Sequence, residues 1–192
     1  MKWIVLAILL CIIPYTYVTL HYRKTAPAFQ PYEDMKNRAN VMRLLNAGYR
    51  RIALPAEVPA DALKDQSSAP IQNVAGGLPA ELKSTLAEPP ALPVDITRVI
   101  APPAARADHA YSFRLACTLP DERRTLAGAE LYVKDSHLVV TPDFKKLSGG
   151  LMARTRDNVI QLTVPASTLK PGKYEVLVVG QKSSRGWTLE VR

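Results

Sequence analysis

The sequence predicts a mainly β protein, an antiparallel sandwich of about seven strands, carried behind one transmembrane helix. Three observations predict it. Residues 3–20 form an uncharged apolar run, prolines crowd the middle of the chain, and from Val94 onward apolar and polar residues alternate with period two. A chain of 192 residues has room for one anchor, one globular domain of about 100 residues and connecting material. The expected organisation is a transmembrane anchor over 1–22, a basic juxtamembrane amphipathic helix over 23–54, a proline-rich linker with a short helix over 55–93, and the sandwich over 94–192.

The run WIVLAILLCIIPYTYVTL, at about 1.5 Å per helical residue, reaches about 27 Å, near the hydrocarbon thickness of a bilayer. Trp3 at one end and Tyr15, Tyr17 and Tyr22 at the other match the aromatic belts of a spanning helix. Pro14 kinks or weakens its last turns, and Thr16 and Thr19 can bond the freed carbonyls. The run is longer than the apolar core of a cleaved signal, about 7–15 residues. Ala26 and Ala28 do supply an A-x-A pattern, but Arg23 and Lys24 intervene, so a retained signal-anchor is expected. Cys11 follows Leu10 and precedes further apolar residues, which does not suit lipidation. Orientation stays contested. Lys2 against Arg23, Lys24, Lys36 and Arg38 favours a cytoplasmic C-terminus, whereas long domains translocate largely regardless of local charge. The expectation adopted is an extracytoplasmic C-terminal domain in a single-pass cell-membrane protein. Since two residues precede the run, its activity is expected in the membrane or on the C-terminal side.

The net charge of +8 divides into +1 over residues 1–20, +5 over 21–54, −3 over 55–93 and +5 over 94–192. No compact stretch monopolises it. Arg123, Arg124, Lys145, Lys146, Arg154 and Arg156 lack the aromatic interleaving of a nucleic-acid surface, so no nucleic-acid partner is expected. The densest positive segment follows the anchor and can lie against anionic headgroups.

YEDMKNRANVMRLLNAG, 32–48, reads as an amphipathic helix opened by Pro31, with Glu33 and Asp34 at its positive end and Gly48 after its last turn. Met35, Ala39, Met42 and Leu45 share one stripe, broadened by Val41 and Leu44. YRRIAL, 49–54, continues as a short extended piece. Seven prolines between Pro55 and Pro93 then indicate an extended spacer. Within it LPAELKSTLAE places Leu78, Leu82 and Leu86 on one short helical stripe that must dock or fray. Met35, Met42, Leu45, Leu78, Leu82 and Leu86 are the candidate partner contacts.

In YSFRLACTL, Phe113, Leu115, Cys117 and Leu119 point to one side and Ser112, Arg114, Ala116 and Thr118 to the other. Leu131 and Val133, then Ile160, Leu162 and Val164, then Trp187, Leu189 and Val191 repeat the pattern. KYEVLVVG is apolar on both faces, as a central strand would be. With ITRVIA and HLVVT the count reaches about seven, separated by turns at Pro120–Arg123, Lys134–Ser136, 148–150, Arg156–Asn158, Lys170–Gly172 and Lys182–Gly186. That is the count of an immunoglobulin-like sandwich.

TVPASTLKPGKYEVLVVG, 163–180, resembles the corner between the fifth and sixth strands of bacterial immunoglobulin-like and fibronectin-like envelope domains. The resemblance rests on Leu169, Gly172 and Tyr174, and extends loosely over the C-terminal half. It implies an immunoglobulin-like β-sandwich in which Tyr174 forms a tyrosine corner, its hydroxyl tied to upstream backbone. Similar domains lie on the outer side of single-pass anti-sigma-like regulators. This chain departs from those in having no regulator domain ahead of its apolar run.

No constellation names a reaction. His21, His109 and His137 lack ligand neighbours at metal spacing, His137 beside Asp135 reads as a polar turn, and Cys11 and Cys117 are too separated to pair. GxSxG, HExxH, P-loop and strand-borne GxGxxG patterns are absent. No enzyme, cofactor, catalytic residue or metal site is expected. The leading expectation is a non-enzymatic accessory or scaffold subunit of a larger membrane-protein assembly, in contact with the bilayer and a membrane-protein partner. The alternatives are a membrane-tethered envelope module binding a ligand, glycan or peptide, and an enzyme with an unrecognised site.

Overall fold

A computed structural model describes residues 2–22, 31–57, 59, 68–147 and 152–192. The basic cluster at 23–24, Ser67 and the turn at 148–150 lie outside these residues. The chain divides into two compact units, 1–37 and 38–192. In the first, helix α1 (Lys2–Tyr22) carries Pro14 inside it, and the Thr19 hydroxyl donates to the Tyr15 carbonyl at 2.7 Å. Among the described residues no helix is long and apolar enough to cross a membrane. The side chains of residues 4–9, where the run is most apolar, are outside the described set. The expected transmembrane helix is therefore not supported by the fold.

Helix α2 (Pro31–Asn46) ends where Gly48 takes a φ of +79°, a conformation that costs a glycine little. The chain then forms β1 (Arg50–Glu57), β2 (Gln72–Ala75), helix α3 (Ala80–Thr85), β3 (Asp95–Ile100), β4 (Ala104–Ala105), β5 (Tyr111–Thr118), β6 (Arg124–Lys134), β7 (His137–Lys146), β8 (Asp157–Val164), β9 (Gly172–Val178) and β10 (Ser183–Val191). The seven segments of period two supply β3 and β5 to β10. The rest of the sheet differs from expectation: it is one mixed ten-stranded sheet ordered β2-β10-β9-β7-β6-β1-β8-β5-β3, with β4 also on β10. β7 runs parallel to β9 and β4 parallel to β10; the other pairs are antiparallel.

The sheet is curled, because the inward residues of its two parts share one core. Ile96, Phe113, Leu115, Cys117, Ile160 and Leu162 from β3, β5 and β8 cluster with Leu131, Val140, Val176, Val178, Trp187 and Leu189 from β6, β7, β9 and β10. Phe113 meets Trp187 at 5.4 Å between ring centroids. Trp187 Nε1 donates to the Tyr111 hydroxyl at 3.3 Å, which donates to the Pro102 carbonyl at 3.0 Å. The curl also brings the edge strand β3 beside the start of β10. Arg185 Nε donates to the Ile96 carbonyl at 2.9 Å, and the amides of Gln181 and Lys182 donate to the carbonyls of Pro93 and Val94 at 2.8 and 3.0 Å. Burial pushes the Cys117 thiol up to about 12, which makes it a core residue rather than a nucleophile.

The two parts are joined by β1. Arg50 to Pro55 register with β6, and Ala56 and Glu57 register with β8. The segment expected to be a short extended piece followed by linker is thus a central strand. Pro55, which has no N–H to give, is the last residue on β6 and stands opposite Gly128, beside the register shift between Leu126 and Gly128. A Cβ on Gly128 would lie 2.8 Å from the Leu54 carbonyl oxygen. The expected proline-rich spacer is corrected in the same way from residue 68 onward. Ala69, Leu82, Leu86 and Pro93 are buried, and β2 pairs with β10, because these apolar residues have a surface within the chain on which to pack.

Gly128→Ala forces backbone apart at this seam and is expected to destabilise the fold by about 1–3 kcal/mol. Urea unfolding of the full chain in detergent measures it. An unchanged midpoint would show that β1 does not approach β6 this closely.

Candidate functional site

The outward face of β6, β7, β9 and β10 carries a second, smaller core. Tyr132 of β6, Val139 of β7 and Val179 just after β9 project from this face, and Leu44 of α2, Tyr49, Leu82 of α3 and Leu86 just after it cover them. This explains why KYEVLVV is apolar on both faces: Val176 and Val178 serve the main core, Val179 and the half-buried Leu177 the second one. The Asn40 side chain of α2 accepts from the Ala87 amide at 2.8 Å, tying the two covering helices together.

The cover is partial. Beside it remains a cavity of about 660 Å³, lined by Val74 and Gln72 of β2, Val139 of β7, Leu177 of β9 and Thr188 of β10, and bordered by Tyr49, Glu81, Lys134, Asp135, His137 and Glu175. Its floor is largely apolar and its rim ionisable. Lys134 Nζ donates to Glu81 Oε1, the Tyr49 hydroxyl donates to Glu81 Oε2 at 3.3 Å, and Nζ stands 5.1 Å from the centre of the Tyr49 ring. His137 Nδ1 lies 3.3 Å from Glu175 Oε2. Asp135, at φ +49°, makes the turn that joins β6 to β7 and so brings Lys134 and His137 onto one rim.

The contacts shift each of the three groups in the direction of its resting state. The hydrogen bond from Lys134 holds the Glu81 carboxyl below its ordinary value, and the same bond holds the Lys134 ammonium above its own. Burial, followed by the charge of Glu81, raises Tyr49. A general acid or base works best with a pKa near the operating pH. All three groups here are displaced away from neutrality. Among the described residues, no three His, Cys, Asp or Glu side chains come together as a metal site.

The expected contact residues divide sharply. Leu82 and Leu86 are consumed within the second core and Leu78 packs against it, so the stripe that needed a surface finds it in its own chain. On α2, Leu44 is the buried residue, while Met35, Met42 and Leu45 are 68%, 57% and 59% exposed. The tyrosine-corner residues lie on the inner side of the sheet. Leu169 and Tyr174 are buried, Gly172 opens β9, and the Tyr174 hydroxyl donates to the Lys170 carbonyl at 3.0 Å. Sequence reasoning missed Tyr49, Glu81, Lys134 and Glu175. The signal for Glu81 lay in the Leu78–Leu82–Leu86 stripe, since a helix that docks by those leucines carries Glu81 to the sheet with it. Comparison with known proteins finds no match: no family model, no curated protein and no solved structure is similar to this chain.

The Glu81–Lys134 pair stabilises the fold above the ordinary carboxylate pKa of about 4.3 and below the ordinary lysine value of about 10.4. Its contribution disappears as pH falls through the depressed pKa of Glu81. Glu81→Gln should therefore lower the melting temperature at pH 7 and leave it nearly unchanged at pH 2. An equal loss at both values rules out the ion pair as the cause.

Proposed function

We propose that this chain is a membrane-anchored, non-enzymatic accessory subunit that holds a segment of a larger membrane-protein assembly in the groove on its outer sheet face. The observation that carries the reading is the half-covered face. A 660 Å³ cavity with a largely apolar floor lies beside Tyr49, Glu81 and Lys134, groups whose contacts shift them away from neutrality. Such a rim orients and selects by charge.

The anchor is supported by the sequence. The uncharged run over 3–20 lies within the 21-residue helix α1 and has aromatic residues at both ends. The immunoglobulin-like sandwich is the finer fold reading. It is supported by the shared core between the two parts of the sheet and by the Tyr174 hydrogen bond to Lys170. The proposed location is the cell membrane, with the C-terminal domain extracytoplasmic.

A second reading is favoured by the same cavity: an envelope module that binds a free ligand, glycan or peptide without a subunit partner. The two part experimentally. A photocrosslinking residue at Val74 on the cavity floor, in cells, should give one discrete adduct with an integral membrane protein, and Leu177→Arg elsewhere on that floor should abolish it. Val74 adducts confined to soluble molecules would sink the accessory-subunit reading in favour of the module. Alkaline carbonate extraction tests the anchor: release of the full chain into the supernatant would overturn it.

A further inference from the structure

The cavity is floored by two neighbouring rows of the sheet. In one, Val139 of β7, Leu177 of β9 and Gly186 of β10 stand opposite one another; in the next, His137, Glu175 and Thr188 do. The rows are two strand residues apart, about 7 Å. The first row has a gap at Gly186. A Cβ there would stand 3.5 Å from Val74 Cγ2 and 3.9 Å from Leu177 Cδ1, ordinary contact distances, so the missing side chain leaves an apolar notch between Val74 and Leu177.

The second row brings charge. The Glu175 amide donates to the Ser136 carbonyl at 2.8 Å, which holds Glu175 against the turn that carries Asp135. Besides His137, the charged groups bordering the cavity are the carboxylates of Glu81, Asp135 and Glu175 and the ammonium of Lys134. Lys134 is engaged by Glu81, and among the described residues no lysine or arginine forms an ion pair with Asp135 or Glu175. The whole chain carries +8. Carboxylates in excess at this border reverse, locally, the sign of the protein.

We infer that the segment held in this groove is basic: an extended stretch of the partner protein that seats an aliphatic side chain in the notch at Gly186 and, two residues along, presents a lysine or arginine to Glu175 and Asp135. The inference rests on the accessory-subunit reading above and adds the chemistry of the segment. Side chains i and i+2 of an extended chain lie on one side, about 7 Å apart, which is the spacing of the two rows. An acidic segment would bring like charge onto two carboxylates while shielding them from water. Exposed ion pairs of this kind each strengthen binding by up to about fivefold.

The test selects peptides from a random displayed library on the full chain in detergent, with the Gly186→Leu chain as counter-target. Peptides that bind the first and not the second are expected to be enriched several-fold over the library in lysine or arginine two positions from an aliphatic residue. Asp135→Asn with Glu175→Gln should weaken the best of them about tenfold. Both side chains are exposed and asparagine tolerates the φ of +49° at 135, so this variant leaves the fold intact. Enrichment of aspartate or glutamate, indifference to charge, or affinity unchanged in the double variant overturns the inference. So does a library from which nothing binds the full chain. The Val74 adduct in cells separates the two readings. A membrane-protein segment captured there without a basic residue brings down this inference alone, whereas adducts confined to soluble molecules bring down the accessory-subunit reading.

Discussion

The architecture depends on the passage of β1 between β6 and β8. Each of these strands has another partner on its far side, β7 and β5 respectively, so β1 is the piece that makes one sheet out of two. The crossing occurs at Leu54 and Pro55 and needs two compatible chemistries. Pro55 ends the ladder with β6 by having no donor, and Gly128 lets the Leu54 carbonyl approach where a side chain would obstruct it. From this seam follow the curl, the shared core between the inward faces and the outward face on which the helices rest. The candidate groove is a remote product of the same junction.

The C-terminal strands were legible because burial on one side imposes period two, and β5 shows it without interruption from Tyr111 to Thr118. The central position of β9 was legible too, in the apolar residues on both its faces. What escaped was the role of residues before 94. In RRIALPAE the apolar residues run together from Ile52 to Ala56 and only Leu54 is fully buried, so local alternation is weak, and a proline inside a strand ordinarily marks an edge. Here the strand is held by pairing on both sides, a property of residues 73 to 106 positions away. The short helix α3 posed the complementary problem. Its stripe showed that it docks, but the docking surface, Tyr132, Val139 and Val179, lies on three strands whose outward residues look unremarkable one at a time. The site was less legible than the fold, because Glu81 and Lys134 are 53 residues apart and only their placement makes them a pair.

The two faces of the part of the sheet made by β6, β7, β9 and β10 make different demands on their residues. The inner one is closed by the second half of the same sheet and filled with aliphatic and aromatic groups. The outer one is covered only as far as α3 and the end of α2 reach, and beyond that the strands present Glu175, Leu177 and Thr188 to the cavity. Ion pairing at the boundary does two things at once. It pins α3 to β6, and it leaves the rim charged. Recognition by shape and sign is what such a surface offers.

The position of β1 in the chain also sets the order of events during synthesis. Arg50–Glu57 leaves the ribosome well before its partners, of which the last, Gln161 and Leu162, follow about 105 residues later. At the usual pace of translation that is an interval of about 5–20 s. Until β6 has been made the strand has no ladder to join, and until β8 follows the sheet on its other side cannot close. A nascent chain of this kind cannot settle piecemeal from its N-terminus; its first strand waits for the last third of the polypeptide. The proline at its centre, which removes one backbone donor from the exposed strand, lessens its capacity to pair with a wrong neighbour in the meantime.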